Sequence, residues 1–151
     1  MGSSSIVEAI NTNRIPWNDY FMNLAREVAK RSTCPRLRVG AVFVRDNRIL
    51  CTGYNGSLPG RQHCDDVGCL MHEGHCCRCV HAELNAICQA AQHGVSLDDS
   101  WLYVTHLPCI SCYKPVLAAG TSRVYFGEAY GTADMGLYRQ LQGMSRLEQI
   151  K

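Results

Sequence analysis

A chain of 151 residues with 46% hydrophobic and 19% charged residues is long enough to bury one core and reads as a soluble globular protein. A formal net charge of +2 excludes the broad basic field that polynucleotide binding favours, while leaving room for a single basic phosphate pocket. No apolar run reaches the roughly eighteen residues of a membrane span. The start, Met1 to Ile10, lacks the cationic-then-apolar layout of a secretory signal. Ile6 stands where a myristoylation motif needs Ser or Thr. A cytoplasmic chain is therefore expected, and there the 10 cysteines point to metal or catalysis rather than to disulfides. Cys51, in a strand, and Cys88, on a helix, are expected to be small buried hydrophobes.

Residues 1–15 show no period and are expected to form a flexible lead-in to one domain spanning 1–151. Trp17, Tyr20, Phe21, Leu24, Ala25 and Val28 follow helical spacing, with Pro16 at the start and "STCP" (32–35) as the stop. "VGAVFVRDNRILCTGY" (39–54) predicts a hairpin turning at Asp46–Asn47. Residues 55–79 form a loop rich in Gly, Cys and His, unusually long unless it carries a function or an internal staple. A helix is predicted over 80–94, closed by Gly94, then a strand over 101–105. A second helix is predicted over 108–120 with Pro115 in its body, then a strand over 122–127. A weaker helix over 134–143 precedes "SRLEQIK", a candidate edge strand. This order predicts an α/β fold: a mixed central sheet with helices on both faces, a three-layer α-β-α sandwich.

Chemistry concentrates in "GHCCRCVHAEL" (74–84) and "PCISC" (108–112). A catalytic zinc takes three protein ligands and keeps one position open. His81, Cys109 and Cys112 supply three, all near predicted helix N-termini, where the helix dipole favours thiolate. Pro108 suits the first turn of such a helix. Glu83, two residues beyond His81, is placed to take and return a proton rather than to bind metal. A purely structural four-ligand zinc, or a core histidine with unrelated cysteines, is the bland alternative. The paired H-x-E and P-C-x-x-C pattern is identified as the signature of zinc-dependent nucleobase deaminases.

Further stretches resemble deoxycytidylate (dCMP) deaminases of bacteria and phages: "RSTCPRLRVGAV" (31–42), "GYNGSLPG" (53–60), "HC…GC" (63–69), "VHAELNAI" (80–87), "YVTHLPCISCYKPVLAAG" (103–120) and "RVYFGEAY" (123–130). The resemblance implies the cytidine-deaminase fold, zinc dependence, and hydrolysis of dCMP to dUMP and ammonia, which supplies thymidylate synthesis. It assigns His81, Cys109 and Cys112 to the catalytic zinc and Glu83 to proton transfer. Asn55 is implied for the deoxyribose, a role open beside that of a turn residue. Ala82 and Tyr130 are further substrate candidates, and Arg31 and Arg38 are candidates for the 5′-phosphate. Cys34, Cys64 and the His75–Cys76 pair match positions of a second, structural zinc in relatives, with Cys69 a further candidate. Such a metal would staple the 55–79 loop. Cys77 and Cys79 are then spare, placed by packing or partly exposed.

The resemblance also implies a homo-oligomer, a hexamer in many relatives, with dCTP (as its magnesium complex) and dTTP as effectors near the GYNG turn. It fades after Tyr130, and Pro115 and "GTSRV" depart from the pattern without touching the chemistry. Other readings are a deaminase acting on another cytosine nucleotide or nucleoside, or on a polynucleotide base. From a different class comes a non-catalytic zinc-binding regulatory module, which would need no Glu83.

Overall fold

The computed structural model describes residues 13–151; of the expected 1–15 lead-in, residues 1–12 lie outside the described residues. Helix α1 (Trp17–Ala29) follows Pro16, whose fixed φ suits a helix entrance. Strands β1 (Gly40–Arg45) and β2 (Arg48–Tyr54) form the expected hairpin. Asp46 and Asn47 both take positive φ, 52° and 58°, as a two-residue turn matched to the twist of the strands requires.

Five short elements break up the 55–80 loop: β3 (Gly56–Ser57), α2 (Cys64–Val67), β4 (Met71–His72), β5 (His75–Cys76) and β6 (Cys79–Val80). Then come α3 (Ala82–His93), β7 (Trp101–His106), α4 (Ile110–Ala118), β8 (Arg123–Glu128), α5 (Met135–Gln142) and β9 (Arg146–Gln149). Gly94, at φ 69°, closes α3 in the left-handed conformation. Asp134 accepts hydrogen bonds from the N–H groups of Gly136 and Leu137 and starts α5.

The main sheet has the order β2-β1-β7-β8-β9. β1 is antiparallel to β2 and β7, whereas β7, β8 and β9 are parallel. The C-terminal segment "SRLEQIK" thus does supply an edge strand. Alternate residues of β1 face opposite layers, and both layers are covered. Val42 and Val44, with Tyr103 and Tyr125, pack on Phe21, Met22 and Ala25 of α1. Ala41 and Phe43 join Ala86, Ala90, Tyr113, Val116 and Tyr138, from helices α3, α4 and α5. This is the expected three-layer α-β-α arrangement.

Two details differ from the sequence reading. The apolar face of α1 is rotated toward Met22 and Ala29, leaving Trp17 55% and Tyr20 39% exposed, with Trp17 stacked on Phe21. Cys88, expected in the core, is exposed. The stripe of α3 that meets the sheet is Ala82–Ala86–Ala90, and Cys88 lies two residues off it, toward solvent. Cys51 is buried as expected.

Two glycines set the helix distances. A Cβ at Gly53 would lie 2.3 Å from the Ala82 carbonyl oxygen and 2.6 Å from the Ala86 nitrogen, so α3 rests directly on the backbone of β2. Gly40 gives α1 the same close approach, to Ala25 and Ala29. The first of these contacts places the start of α3, and with it the site.

Candidate catalytic cleft and thiol cluster

β2 and β7 run parallel, each being antiparallel to β1. Helix α3, reached from β2 through the long loop, and α4, which follows β7, therefore begin at the same edge of the sheet, where α/β proteins build sites. Two local devices complete the placement. β3 pairs with β6, Gly56 opposite Val80, so the long loop returns beside Asn55 just before His81. The Asn85 side chain donates to the carbonyls of Tyr54 and Val80, at 2.8 and 3.2 Å, tying the GYN turn to α3. On the other side, the Tyr138 hydroxyl donates to the Pro108 carbonyl, and α5 thereby holds the residue before Cys109.

His81 and Cys109 are the residues preceding the first turns of α3 and α4, and Cys112 lies in the first turn of α4. His81 Nδ1 is 3.2 Å from Cys112 Sγ and 3.6 Å from Cys109 Sγ. All three donor atoms lie within 4.8 Å of one another. The donor set fits zinc: metal–sulfur and metal–nitrogen bonds of about 2.3 and 2.0 Å separate tetrahedral ligands by roughly 3.5–3.8 Å. The Cys109 thiol is lowered to about 4, chiefly by the hydrogen bond from Cys112 and then by His81 against the opposing effect of burial. Cys112 is pushed up as the donor of that bond, and His81 is raised by Cys109. A thiol biased toward its thiolate thus faces an imidazole at two helix N-termini.

Glu83 is only 4% exposed. Burial pushes its carboxyl up to about 7, against His81 and the backbone N–H, which favour the anion. His81, Ala82, Glu83 and Cys109 line one cleft of about 530 Å³. Asn55 and Tyr130 also line it. Asn55 already accepts from the Val39 N–H at 2.8 Å and donates to the Leu37 carbonyl at 2.6 Å, so it serves the turn and the cleft wall together. Burial raises the Tyr130 hydroxyl to about 12, keeping it neutral, and its ring stacks on His106 at 6.5 Å.

Neither arginine singled out in the sequence lines this cleft. Arg38 forms a forked pair with Asp65, at 3.1 and 3.3 Å, donates to the Ser32 carbonyl, and faces a separate cavity beside His106 and Glu128. Arg31 is exposed and outside the cleft lining. Arg36, Leu37 and Thr132 line it instead. Alternation along "PRLR" could have flagged Arg36, but which arginine turns inward depends on the path of an irregular loop.

Cys34 and Cys76 line the same cleft, and with Cys64 and Cys69 they bring their sulfurs within 4.8 Å of one another. Cys34–Cys69 is 3.8 Å and Cys64–Cys76 is 3.5 Å, the spacing of a tetrahedral four-thiolate zinc. His75, named with Cys76 as a candidate ligand, is exposed and lines the cleft, outside the cluster. In the tight β4–β5 hairpin the two neighbouring side chains point to opposite faces, so only Cys76 turns inward. Cys79, set aside as spare, places its sulfur 3.4 Å from that of Cys64. Cys77 is exposed. Burial is the largest effect on Cys76, opposing ionisation, yet N–H groups around it and the Cys64 thiol bring it down to about 6. Burial and crowding push Cys64, Cys69 and Cys79 to about 12. A buried set of this kind ionises together only around a cation. All ten cysteines are free thiols. Among the described residues, no helix is long and apolar enough to cross a membrane.

The family described as "Cytidine and deoxycytidylate deaminase zinc-binding region" matches residues 15–128. ComE operon protein 2 of Bacillus subtilis (strain 168) is 54% identical over 119 residues, covering 79% of this chain and 63% of the relative. The deoxycytidylate deaminase of Schizosaccharomyces pombe is 36% identical over 133 residues, covering 82% of this chain and 41% of its own length. The chain thus spans less than two thirds of each of these curated relatives. The crystal structure of dCMP deaminase from the cyanophage S-TIM5, in complex with dCMP and dUMP, superimposes with a TM-score of 0.76 at 31% identity, over 87% of this chain and 95% of that one. With the His81–Cys109–Cys112 triad and Glu83 inside the matched span, the chain belongs to the cytidine and deoxycytidylate deaminase family of zinc-binding, cytidine-deaminase-fold proteins.

Proposed function

We propose that this protein hydrolyses dCMP to dUMP and ammonia. The observation that carries the reading is a buried carboxyl, Glu83, beside the three-donor His81–Cys109–Cys112 set, with Glu83, His81 and Cys109 in the wall of one open cleft. His81, Cys109 and Cys112 would hold the zinc, and three donors leave a fourth position for water. The chemistry such a metal supplies is activation of water near neutral pH. Glu83 moves the protons: its carboxyl accepts one from the attacking water and delivers it to N3 of the cytosine ring as oxygen adds at C4. It then takes the proton of the new C4 hydroxyl and hands it to the exocyclic nitrogen, which leaves as ammonia while C4 becomes a carbonyl. A carboxyl lifted toward neutrality by burial is suited to both halves of this relay. Asn55 and Tyr130 shape the wall around the sugar and base.

The choice of dCMP rests on the likeness to the S-TIM5 enzyme holding dCMP and dUMP. Four thiols at tetrahedral spacing support a second, structural zinc at Cys34, Cys64, Cys69 and Cys76. Control by dCTP and dTTP in a homo-oligomer and a cytoplasmic location belong to the same reading. The test is turnover of dCMP, deoxycytidine and single-stranded DNA by the purified chain, with and without dCTP or dTTP. dCMP is expected to be used best; a preference for DNA or for the free nucleoside would overturn the substrate assignment.

A further inference from the structure

We infer that the edge of the sheet opposite the catalytic cleft holds an anion-binding site, built from Arg45, Arg123 and Arg146 and suited to the di- or triphosphate group of a small ligand. The inference goes beyond the proposed deamination and does not depend on its substrate.

Trp101, Arg123 and Arg146 are the first residues of β7, β8 and β9. They stand in one row, Trp101 opposite Arg123 and Arg123 opposite Arg146, so their side chains share one face of the sheet. Two arginines are thereby set side by side on strands about 4.8 Å apart, an arrangement that costs stability through like-charge repulsion. Among the described residues, no carboxylate lies within ion-pair distance of Arg45, Arg123 or Arg146. The nearby carboxylates of Asp46, Asp99 and Glu148 belong to exposed residues.

The row opens on a cavity of about 540 Å³ lined by Arg45, Trp101, Arg123 and Arg146, with Asp46 and Asp99 in its wall. That is room for a small ligand. Two of the arginines are already aimed. Arg45 Nη1 donates to the Ser96 and Asp98 carbonyls, at 2.9 and 3.0 Å. Arg123 lies over the Trp101 ring, 4.6 Å from its centre, and donates to the Tyr125 hydroxyl at 3.2 Å. These partners are neutral, so they orient the guanidiniums without cancelling their charge, and they leave other N–H groups for a ligand. Three forked donors around one cavity match a group that spreads several charges over more than one phosphate.

The site is separate from the catalytic one. β7 runs from Trp101 to His106, roughly 16 Å, before the chain reaches Cys109. The GYNG turn lies at the far end as well, since Tyr54 pairs with Gly40 at the other end of β1 from Arg45.

The test is a fluorescence titration of Trp17→Phe, in which Trp101 is the one remaining tryptophan, with inorganic tripolyphosphate at low ionic strength. A saturable change is expected, undiminished by saturating dUMP. In that background Arg146→Ala should weaken binding about tenfold and Arg123→Ala at least as much, while Arg139→Ala, on α5, should leave it unchanged. Tripolyphosphate should also raise the thermal unfolding midpoint of the wild type, and Arg146→Ala should remove most of that rise. Turnover of dCMP without the polyanion should be equal in Arg146→Ala and the wild type, which shows an intact fold. ATP in place of tripolyphosphate separates two sources of the same chemistry. Equal affinity points to phosphates alone and tighter binding to a nucleotide, and either result upholds the site. No saturable change, displacement by dUMP, or undiminished affinity in Arg146→Ala overturns the inference.

Discussion

His81, Cys109 and Cys112 are carried by the first turns of two helices that pack on the central sheet, whereas Cys34, Cys64, Cys69 and Cys76 come from loops, a four-residue helix and a two-residue strand. The first group has three donors, of which His81 and Cys109 line the cleft, and adjoins a buried carboxyl. The second has four donors, all sulfur, in a region with little apolar packing of its own. The difference separates two uses of one ligand chemistry. Where the fold already holds the donors, a metal can be spared for reaction; where it does not, the metal does the holding.

The largest effect that could break this comparison is at Glu83. Glu83→Gln keeps the shape of the side chain and removes its proton transfer. Turnover of dCMP should fall on the order of 10²–10⁴-fold with zinc content unchanged, measured by steady-state kinetics beside elemental analysis. A near-wild-type rate would remove the catalytic role from the first cluster.

Next in size is stability. Cys64→Ser should lose one of two zincs per chain and destabilise the fold by roughly 2–5 kcal/mol in denaturant titrations. Cys109→Ser should abolish turnover at a smaller cost in stability, because α3 and α4 are held by the core. Were Cys109→Ser the more damaging to stability, the division between the clusters would be reversed.

The smallest effect sharpens the ligand set. Cys79 is a fifth sulfur beside the four-thiol cluster. Cys79→Ser should keep both zincs and change stability by less than about 1 kcal/mol. Loss of a zinc in this variant would make Cys79 a ligand in place of one of the four.

Much of this protein follows from local sequence rules. The Asp46–Asn47 hairpin, the Gly94 cap and the order of the main helices and strands need only neighbours within a few residues. His81, Glu83, Cys109 and Cys112 were likewise legible, since H-x-E and P-C-x-x-C each place their groups within two turns of one helix start. Tertiary structure decided what depends on long-range paths. Two parallel crossovers bring His81 within 3.6 Å of Cys109 from 28 residues away. The irregular 30–39 loop turns Arg36 into the cleft and Arg38 out to Asp65. A tight hairpin keeps Cys76 in the thiol cluster and sends His75 outside it. Regular elements have a period that a sequence displays. Loops have none, and there each side chain's direction is set by contacts with residues far along the chain.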